Sequence, residues 1–140
     1  MNRITIRKTT NPDHIKQIEA MDAFIFDDGS YLVESMDGYL HYWIAWCKGQ
    51  PIGYAVAEEY QDGIVFHARS AVLEKYRGQG LQKRLIKARE TISNITLFMT
   101  YISVENPASI NSFISQGYKA HTPDYFYGGQ EMLYLCKEIK

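Results

Sequence analysis

The chain has 140 residues, the size of one folded domain, with 46% hydrophobic and 22% charged residues and a formal net charge of −1. Its eleven tyrosines and near-neutral charge exclude an intrinsically disordered chain. A nucleic-acid partner is disfavoured as well, because such surfaces need a strongly basic balance.

The N-terminal MNRITIRKTT lacks the apolar stretch of a signal peptide, and no later run is apolar for long enough to cross a bilayer. A cytoplasmic protein without a membrane partner is expected. Arg3 to Lys8 alternates as a short strand. Asn11 is placed to cap a helix opened by Pro12, with Ile15, Ile18, Met21 and Phe24 or Ile25 along one face, ending near Asp27-Asp28-Gly29. Residues 30–38 are ambiguous, and a short helix closed by Gly38 is one reading. Three strands follow at 40–47, 51–60 and 64–73, joined by turns at Gly49-Gln50 and Asp62-Gly63, which makes an antiparallel meander. Leu81, Leu85, Ala88 and Ile92 recur at helical spacing and predict a helix over 80–93 with a basic outer face. Residues 94–104 read as a central strand. Asn106-Pro107 opens another helix, with Ile110, Phe113 and Ile114 inward and Gly117 as its stop. Two closing strands, 118–127 and 130–139, are expected around Gly128-Gly129. Cys47 and Cys136 lie far apart without metal-ligand spacing, so reduced thiols and no metal site are expected. The predicted fold is α/β, a mixed, mostly antiparallel twisted sheet of six to seven strands with helices on both faces, in a single domain over 1–140.

The near-neutral total hides an asymmetry. Residues 13–37 hold seven acids against one base, and residues 74–90 hold six bases against two acids. If the fold brings these segments together, an anion and a cation can meet between them; two solvated faces explain them equally well. The basic segment contains Tyr76-Arg77-Gly78-Gln79-Gly80-Leu81-Gln82, at the point where a strand gives way to a helix. Glycines here permit positive φ and close approach of a ligand, so several N–H groups and the positive helix end can face one phosphate, with Arg77 beside it. The segment is neither a Walker A loop nor a dinucleotide fingerprint, since the required glycine spacings are missing. Taken alone, Gly-x-Gly is more often a tight turn than a ligand site.

The run from Val72 to Gln82 resembles the acyl-CoA motif of the GCN5-related N-acetyltransferase (GNAT) superfamily, Arg/Gln-x-x-Gly-x-Gly/Ala, on Arg77, Gly80 and Gln82. Gln82 departs from the small residue usual at that place. A second stretch, Asn106-Pro107-Ala108-Ser109 with Phe113 and Gly117-Tyr118, is similar to the family's later motif. The resemblance implies a GNAT-like acyl-CoA N-acyltransferase fold with acetyl-CoA as acyl donor. It implies that the backbone of Arg77, Gly78, Gln79, Gly80, Leu81 and Gln82 holds the pyrophosphate. Ala71, Val72 and Leu73 would then orient the pantetheine arm, with Asn106, Ser109 and Phe113 around it.

Phe113 stands where many members carry a tyrosine that protonates the departing thiolate. Ser112, its neighbour, is expected to point elsewhere on the helix, and Tyr118, Tyr125 and Tyr127 are the phenols that remain. For the base that neutralises the incoming amine, His67 and Glu58 are the candidates, with Glu59 behind; His67 has the better intrinsic pKa. Strand alternation puts His67 and Arg69 on one side, but a bulge of the kind the family carries leaves the face open. Arg69 is expected either to meet an acidic substrate group or to pair with Glu58. In the family, the first helical region walls the acceptor site. Here that region contributes Phe24, Phe26, Asp27, Asp28, Tyr31, Glu34 and Asp37, which suits an amine-bearing, cationic small molecule or peptide. The aromatic closing hairpin leaves a homodimer open. The alternative reading is a catalytically degenerate acyl-CoA-binding sensor or regulatory protein.

Overall fold

A computed structural model describes residues 3–26 and 38–139. Strand β1 (Ile4–Thr9) leads into helix α1 (Pro12–Ile25), and the cap forms as the sequence predicts: the Asn11 side chain accepts the Asp13 N–H at 2.9 Å. The meander follows as β2 (Tyr39–Cys47), β3 (Gln50–Tyr60) and β4 (Ile64–Val72). Its first turn sits at Lys48-Gly49, one residue before the predicted place, with both residues at positive φ. Helix α2 (Leu81–Arg89), β5 (Leu97–Ser103), α3 (Pro107–Ser115), β6 (Lys119–Ala120) and β7 (Met132–Glu138) complete the order.

The seven strands lie in the order β1-β2-β3-β4-β5-β7-β6. Every pairing is antiparallel except β4 with β5, because α2 crosses over between them. Two apolar layers sandwich the sheet. On one face Ile18 and Met21 of α1 pack on Ile44, Tyr54, Val56 and Ala71. On the other, Leu81, Leu85 and Ile86 of α2 and Phe113 of α3 pack on Ala45, Ala55, Val65 and Phe98. Helices on both faces of a mixed sheet are as expected.

Several boundaries differ. Helix α2 stops at Arg89 rather than 93, where Thr91 N–H turns back to Ala88 O at 3.2 Å and Asn94 takes positive φ, so the chain reverses into β5 at Leu97. Ile114 is half exposed instead of inward, leaving Phe113 as the buried anchor of α3. Phe24 faces solvent and Ile25 takes the inward place. The predicted strand over 118–127 shortens to Lys119–Ala120. Beyond it a looped segment crosses under Tyr134, whose hydroxyl accepts the Gly128 N–H and donates to Gly129 O, both at 2.8 Å. The proposed short helix at 30–38 and the acids Asp27, Asp28, Glu34 and Asp37 fall outside the described residues, Gly38 excepted.

Candidate active site

Strand β4 carries an extra residue, and that residue opens the site. Ala57 pairs with His67 but Val56 pairs with Arg69, so Ala68 is looped out as a bulge. The bulge inverts the alternation. Val65 and His67 face α2 and α3, whereas beyond it Ser70 and Val72 face that side and Arg69 and Ala71 face α1. His67 and Arg69 are therefore on opposite faces, contrary to simple alternation. The same irregularity ends the pairing with β5. Only Ile64, Val65 and Phe66 find partners there (Leu97, Phe98, Met99), and beyond them β4 and β5 no longer pair with each other, although each keeps its other neighbour. A cleft of about 550 Å³ lies along the parted strand.

Most of the residues named as cofactor candidates are brought together along it. Ala71, Val72, Arg77, Gly78, Gly80, Leu81, Gln82, Asn106 and Ser109 all border it. Gly78 and Gly80 have φ of +80° and +76°, a conformation other residues resist, and a Cβ at either would meet nothing within 4 Å. The loop is thus held open toward the cleft, with the unbonded N–H groups of the first turn of α2 beside it. Arg77 Nε donates to Val72 O at 2.8 Å, tying the loop to the end of β4. Asn106 caps α3 by accepting the Ser109 N–H at 3.3 Å. Three expected residues lie off the lining. Gln79 projects into solvent, Leu73 packs against the core and spends its N–H on Ile52 O at 2.9 Å, and Phe113 is buried beneath the floor. Ser112, expected to point away, borders the cleft, three residues after Ser109 on the same helical face. Phe26, expected at an acceptor wall, borders the same cleft, whereas Ile25, Ser70, Lys83 and Ala108 were missed. Only the bulge could have signalled Ser70, and a single sequence does not locate a bulge.

His67 and Tyr118 meet, but inside the core. Both are 2% exposed, and His67 Nε2 is 2.6 Å from the Tyr118 hydroxyl, which donates to Glu90 Oε2 at 2.8 Å. Lys137 Nζ closes the chain on Glu90 at 3.1 Å. Since the phenol's one proton goes to Glu90, His67 must donate from Nε2, which leaves Nδ1 as the unpartnered nitrogen. Burial, then the charges of Arg89 and Lys137, hold His67 well below its ordinary value of 6.5, and burial beside Glu90 pushes the Tyr118 phenol up. A neutral histidine buried against Phe113 does not border the cleft. Its consequence is for stability. As pH falls through 6.5 the unfolded chain takes up a proton that native His67 refuses, so stability present above that pH is lost toward acid. His67→Gln, which keeps a donor for Tyr118, should flatten this loss by up to about 1.4 kcal/mol per pH unit. Urea unfolding between neutral pH and the acid limb measures it; parallel curves for the two proteins would refute the neutral, buried state.

On the other face Glu58 is 3% exposed; it accepts the Gly38 N–H at 3.2 Å on Oε2 and the Tyr60 hydroxyl at 2.7 Å on Oε1. Gly38 approaches so closely that a Cβ there would sit 2.5 Å from Glu58 Cγ. Arg69 forms an ion pair with Asp22. Its Nε donates to Asp22 Oδ1 at 2.7 Å, and its guanidinium lies 3.9 Å over the Phe26 ring. Near the parting of the strands Phe66, Tyr101, Tyr127 and Tyr134 form an aromatic cluster, with ring centroids 5.0–6.3 Å apart for the pairs Phe66–Tyr101, Phe66–Tyr127, Tyr101–Tyr127 and Tyr127–Tyr134. The Tyr127 hydroxyl is buried without a partner and its pKa is pushed up to about 12, chiefly by burial. Among the described residues no cluster could hold a metal ion, and no helix is long and apolar enough to cross a membrane.

Comparison with known proteins agrees with this geometry. A family model described as an acetyltransferase (GNAT) domain matches residues 38–120. No curated protein sequence matches the chain. Among solved structures, an acetyltransferase from Streptococcus agalactiae superposes with a TM-score of 0.73 at 19% identity, covering 97% of this chain and 98% of that one. A Salmonella typhimurium protein held with its cofactor acetyl-CoA gives 0.70 at 16% identity, over 99% and 95%. Mutant forms of the spermidine/spermine N-acetyltransferase from Vibrio cholerae give 0.71 at 14% identity, over 97% and 95%. At such identities the structures speak for the fold alone, whereas the family match spans more than half of the sequence. The chain belongs to the GNAT acetyltransferases, enzymes whose acyl donor is acetyl-CoA.

Proposed function

We infer that this protein transfers the acetyl group of acetyl-CoA to a primary amine on a cationic small molecule or a peptide, by direct attack within a ternary complex. The observation that carries the reading is the cleft where β4 leaves β5, because it brings the glycine loop and the end of α1 to one opening. The residues suit the donor. Gly78 and Gly80 leave open space where a Cβ would stand, and the first turn of α2 presents N–H groups to an anion. In this reading Arg77, Gly78, Gly80, Leu81 and Gln82 hold the pyrophosphate. Ala71 and Val72 offer backbone to the pantetheine arm as an added strand would use it, with Asn106 and Ser109 opposite.

Acetyl-CoA supplies the activated carbonyl: an amine nitrogen bonds to it, the carbon–sulfur bond breaks, and the CoA thiolate leaves. The chain's own part is to bind, orient and manage one proton. Glu58 is the carboxylate we assign to the amine's proton, drawn through the Tyr60 hydroxyl that already donates to it at 2.7 Å. The aromatic cluster of Phe66, Tyr101 and Tyr127 beside it is suited to an ammonium group. The Vibrio cholerae neighbour, named for spermidine and spermine, is consistent with a cationic acceptor. Phe113 has no proton to give and Tyr118 is committed to Glu90, so the thiolate takes its proton from solvent.

The test is thiol release from acetyl-CoA in the presence of polyamines, lysine-bearing peptides and zwitterionic amino acids, with the N-acetyl product identified by mass. Turnover with cationic amines well above that with zwitterions is expected. Thiol release that no amine raises above background hydrolysis would sink the reading.

A further inference from the structure

Gln82 stands where the family pattern carries a small residue, and its side chain is tied into a directed chain of hydrogen bonds. Ser70 Oγ lies 3.2 Å from Gln82 Oε1 and 3.4 Å from Arg89 Nη2. A guanidinium only donates, so Arg89 gives its proton to Ser70 Oγ, and the hydroxyl's own hydrogen is left for Gln82. That direction favours one orientation of the amide, because the rotated one leaves the Ser70 hydrogen without this acceptor. The carbonyl oxygen takes the Ser70 proton, and the NH2 group is turned away from β4.

Arg89 is held firmly enough to impose this. It is 1% exposed, its Nε donates to Leu85 O at 3.2 Å, and its guanidinium sits 5.8 Å from the centre of the Phe113 ring. Burial draws its pKa down only to about 10, so it remains a cation and a pure donor at neutral pH. The second hydrogen bond is long at 3.4 Å, but it starts from a charge in a water-free place, where such a bond is stronger than in water. Ser70 and Gln82 both line the cleft, and Gln82 belongs to the first turn of α2, beside N–H groups with no partner inside the helix.

We propose that Gln82 is a cofactor-binding side chain whose amide NH2 donates to an oxygen of acyl-CoA, and that Arg89 is a positioning residue that sets this orientation through Ser70. The inference rests on the assignment of the cleft to acetyl-CoA. A small residue at 82 leaves recognition to the backbone; a glutamine adds a donor, useful only if it cannot rotate its carbonyl toward the ligand. The Arg89–Ser70 pair opposes that rotation, because rotation would cost the Ser70 hydroxyl its bond to the carbonyl. A phosphate oxygen and a pantetheine carbonyl are equivalent acceptors for it.

Calorimetric titration of the wild type, Gln82→Ala, Ser70→Ala and the double variant with acetyl-CoA tests this, with S-acetylpantetheine, which lacks the nucleotide phosphates, run in parallel. Gln82→Ala should weaken acetyl-CoA by about 5–10-fold, the worth of one hydrogen bond in a partly covered site. Ser70→Ala should weaken it by about threefold in the wild type, yet by little once Gln82 is gone, because the hydroxyl acts only through the amide. Arg89→Met, where it folds, should behave as Ser70→Ala does; the cycle stands without it. A loss seen with acetyl-CoA alone places the donor on a phosphate, a loss with both ligands places it on the pantetheine, and either supports the proposal. Wild-type affinity in Gln82→Ala, or additive losses in the cycle, overturns it while leaving the cofactor site intact. Absence of binding by the wild type overturns both.

Discussion

Replacing Gly80 with tryptophan is expected to abolish acetyl-CoA binding while leaving a folded protein. Gly80 caps α2 from the left-handed region, at φ 76° and ψ 11°, with no atom within 4 Å of where its Cβ would stand. A side chain there costs about 1–2 kcal/mol of backbone strain, which a domain of this size survives. Gly80 borders the cleft, so the indole is expected to lie across the N–H groups proposed to hold the pyrophosphate. A weakening of at least about 100-fold follows, since the anion loses both its space and its donors. Gly80→Ala separates the two effects: it carries the same strain with little bulk, so its affinity should fall far less. Calorimetry beside a circular-dichroism melt decides. Near-wild-type affinity in a folded Gly80→Trp protein would mean that the loop is an architectural turn and that the donor lies elsewhere.

The features that depend on short-range chemistry were legible in the sequence. Asn11 with Pro12 and Asn106 with Pro107 mark two helix starts because capping is a property of three or four neighbouring residues. The glycine loop and the meander were legible for the same reason. What failed was set by tertiary contacts. The bulge at Ala68 cannot be read from Phe66-His67-Ala68-Arg69, because nothing local says which residue is left out of the ladder; yet it decides that His67 turns into the core and Ser70 into the cleft. The same inversion explains why His67 and Arg69 part to opposite faces, with His67 turned toward α2 and α3 and Arg69 toward α1. Along α3 Phe113 turns inward and Ile110 packs beside it as the periodicity predicts, but Ile114 faces solvent and Ser112 borders the opening. The first of the two closing strands failed differently: Pro123 withholds a ladder donor, and the Tyr134 hydroxyl anchors the Gly128-Gly129 turn that follows.

The end of α1 is held in place by a buried carboxylate, and removing that carboxylate should be among the costliest single changes in the fold. Asp22 is 2% exposed and accepts both the Arg69 Nε, at 2.7 Å, and the Tyr54 hydroxyl. Burial and the bond to Asp22 push the Tyr54 phenol up, so it stays a donor throughout the range in which the protein works. In Asp22→Ala a buried phenol and a largely covered guanidinium lose the group they converge on, for a cost of about 3–5 kcal/mol, a large part of the stability of an ordinary domain. A melting point lower by roughly 10 °C or more is expected. The double replacement Asp22→Leu with Arg69→Met removes both charges and should recover much of that loss, because a buried ion pair stabilises little relative to apolar groups of similar size. It should not recover the site to the same degree. Arg69 also lies over Phe26, and Phe26 with Ile25 walls the cleft. The double variant should therefore fold well and still turn over acceptor poorly, with acetyl-CoA affinity less affected than the KM for the amine. If Asp22→Ala melts within about 2 °C of the wild type, too little to reflect a broken buried pair, the contact is ornamental and α1 is held by Ile18 and Met21 alone.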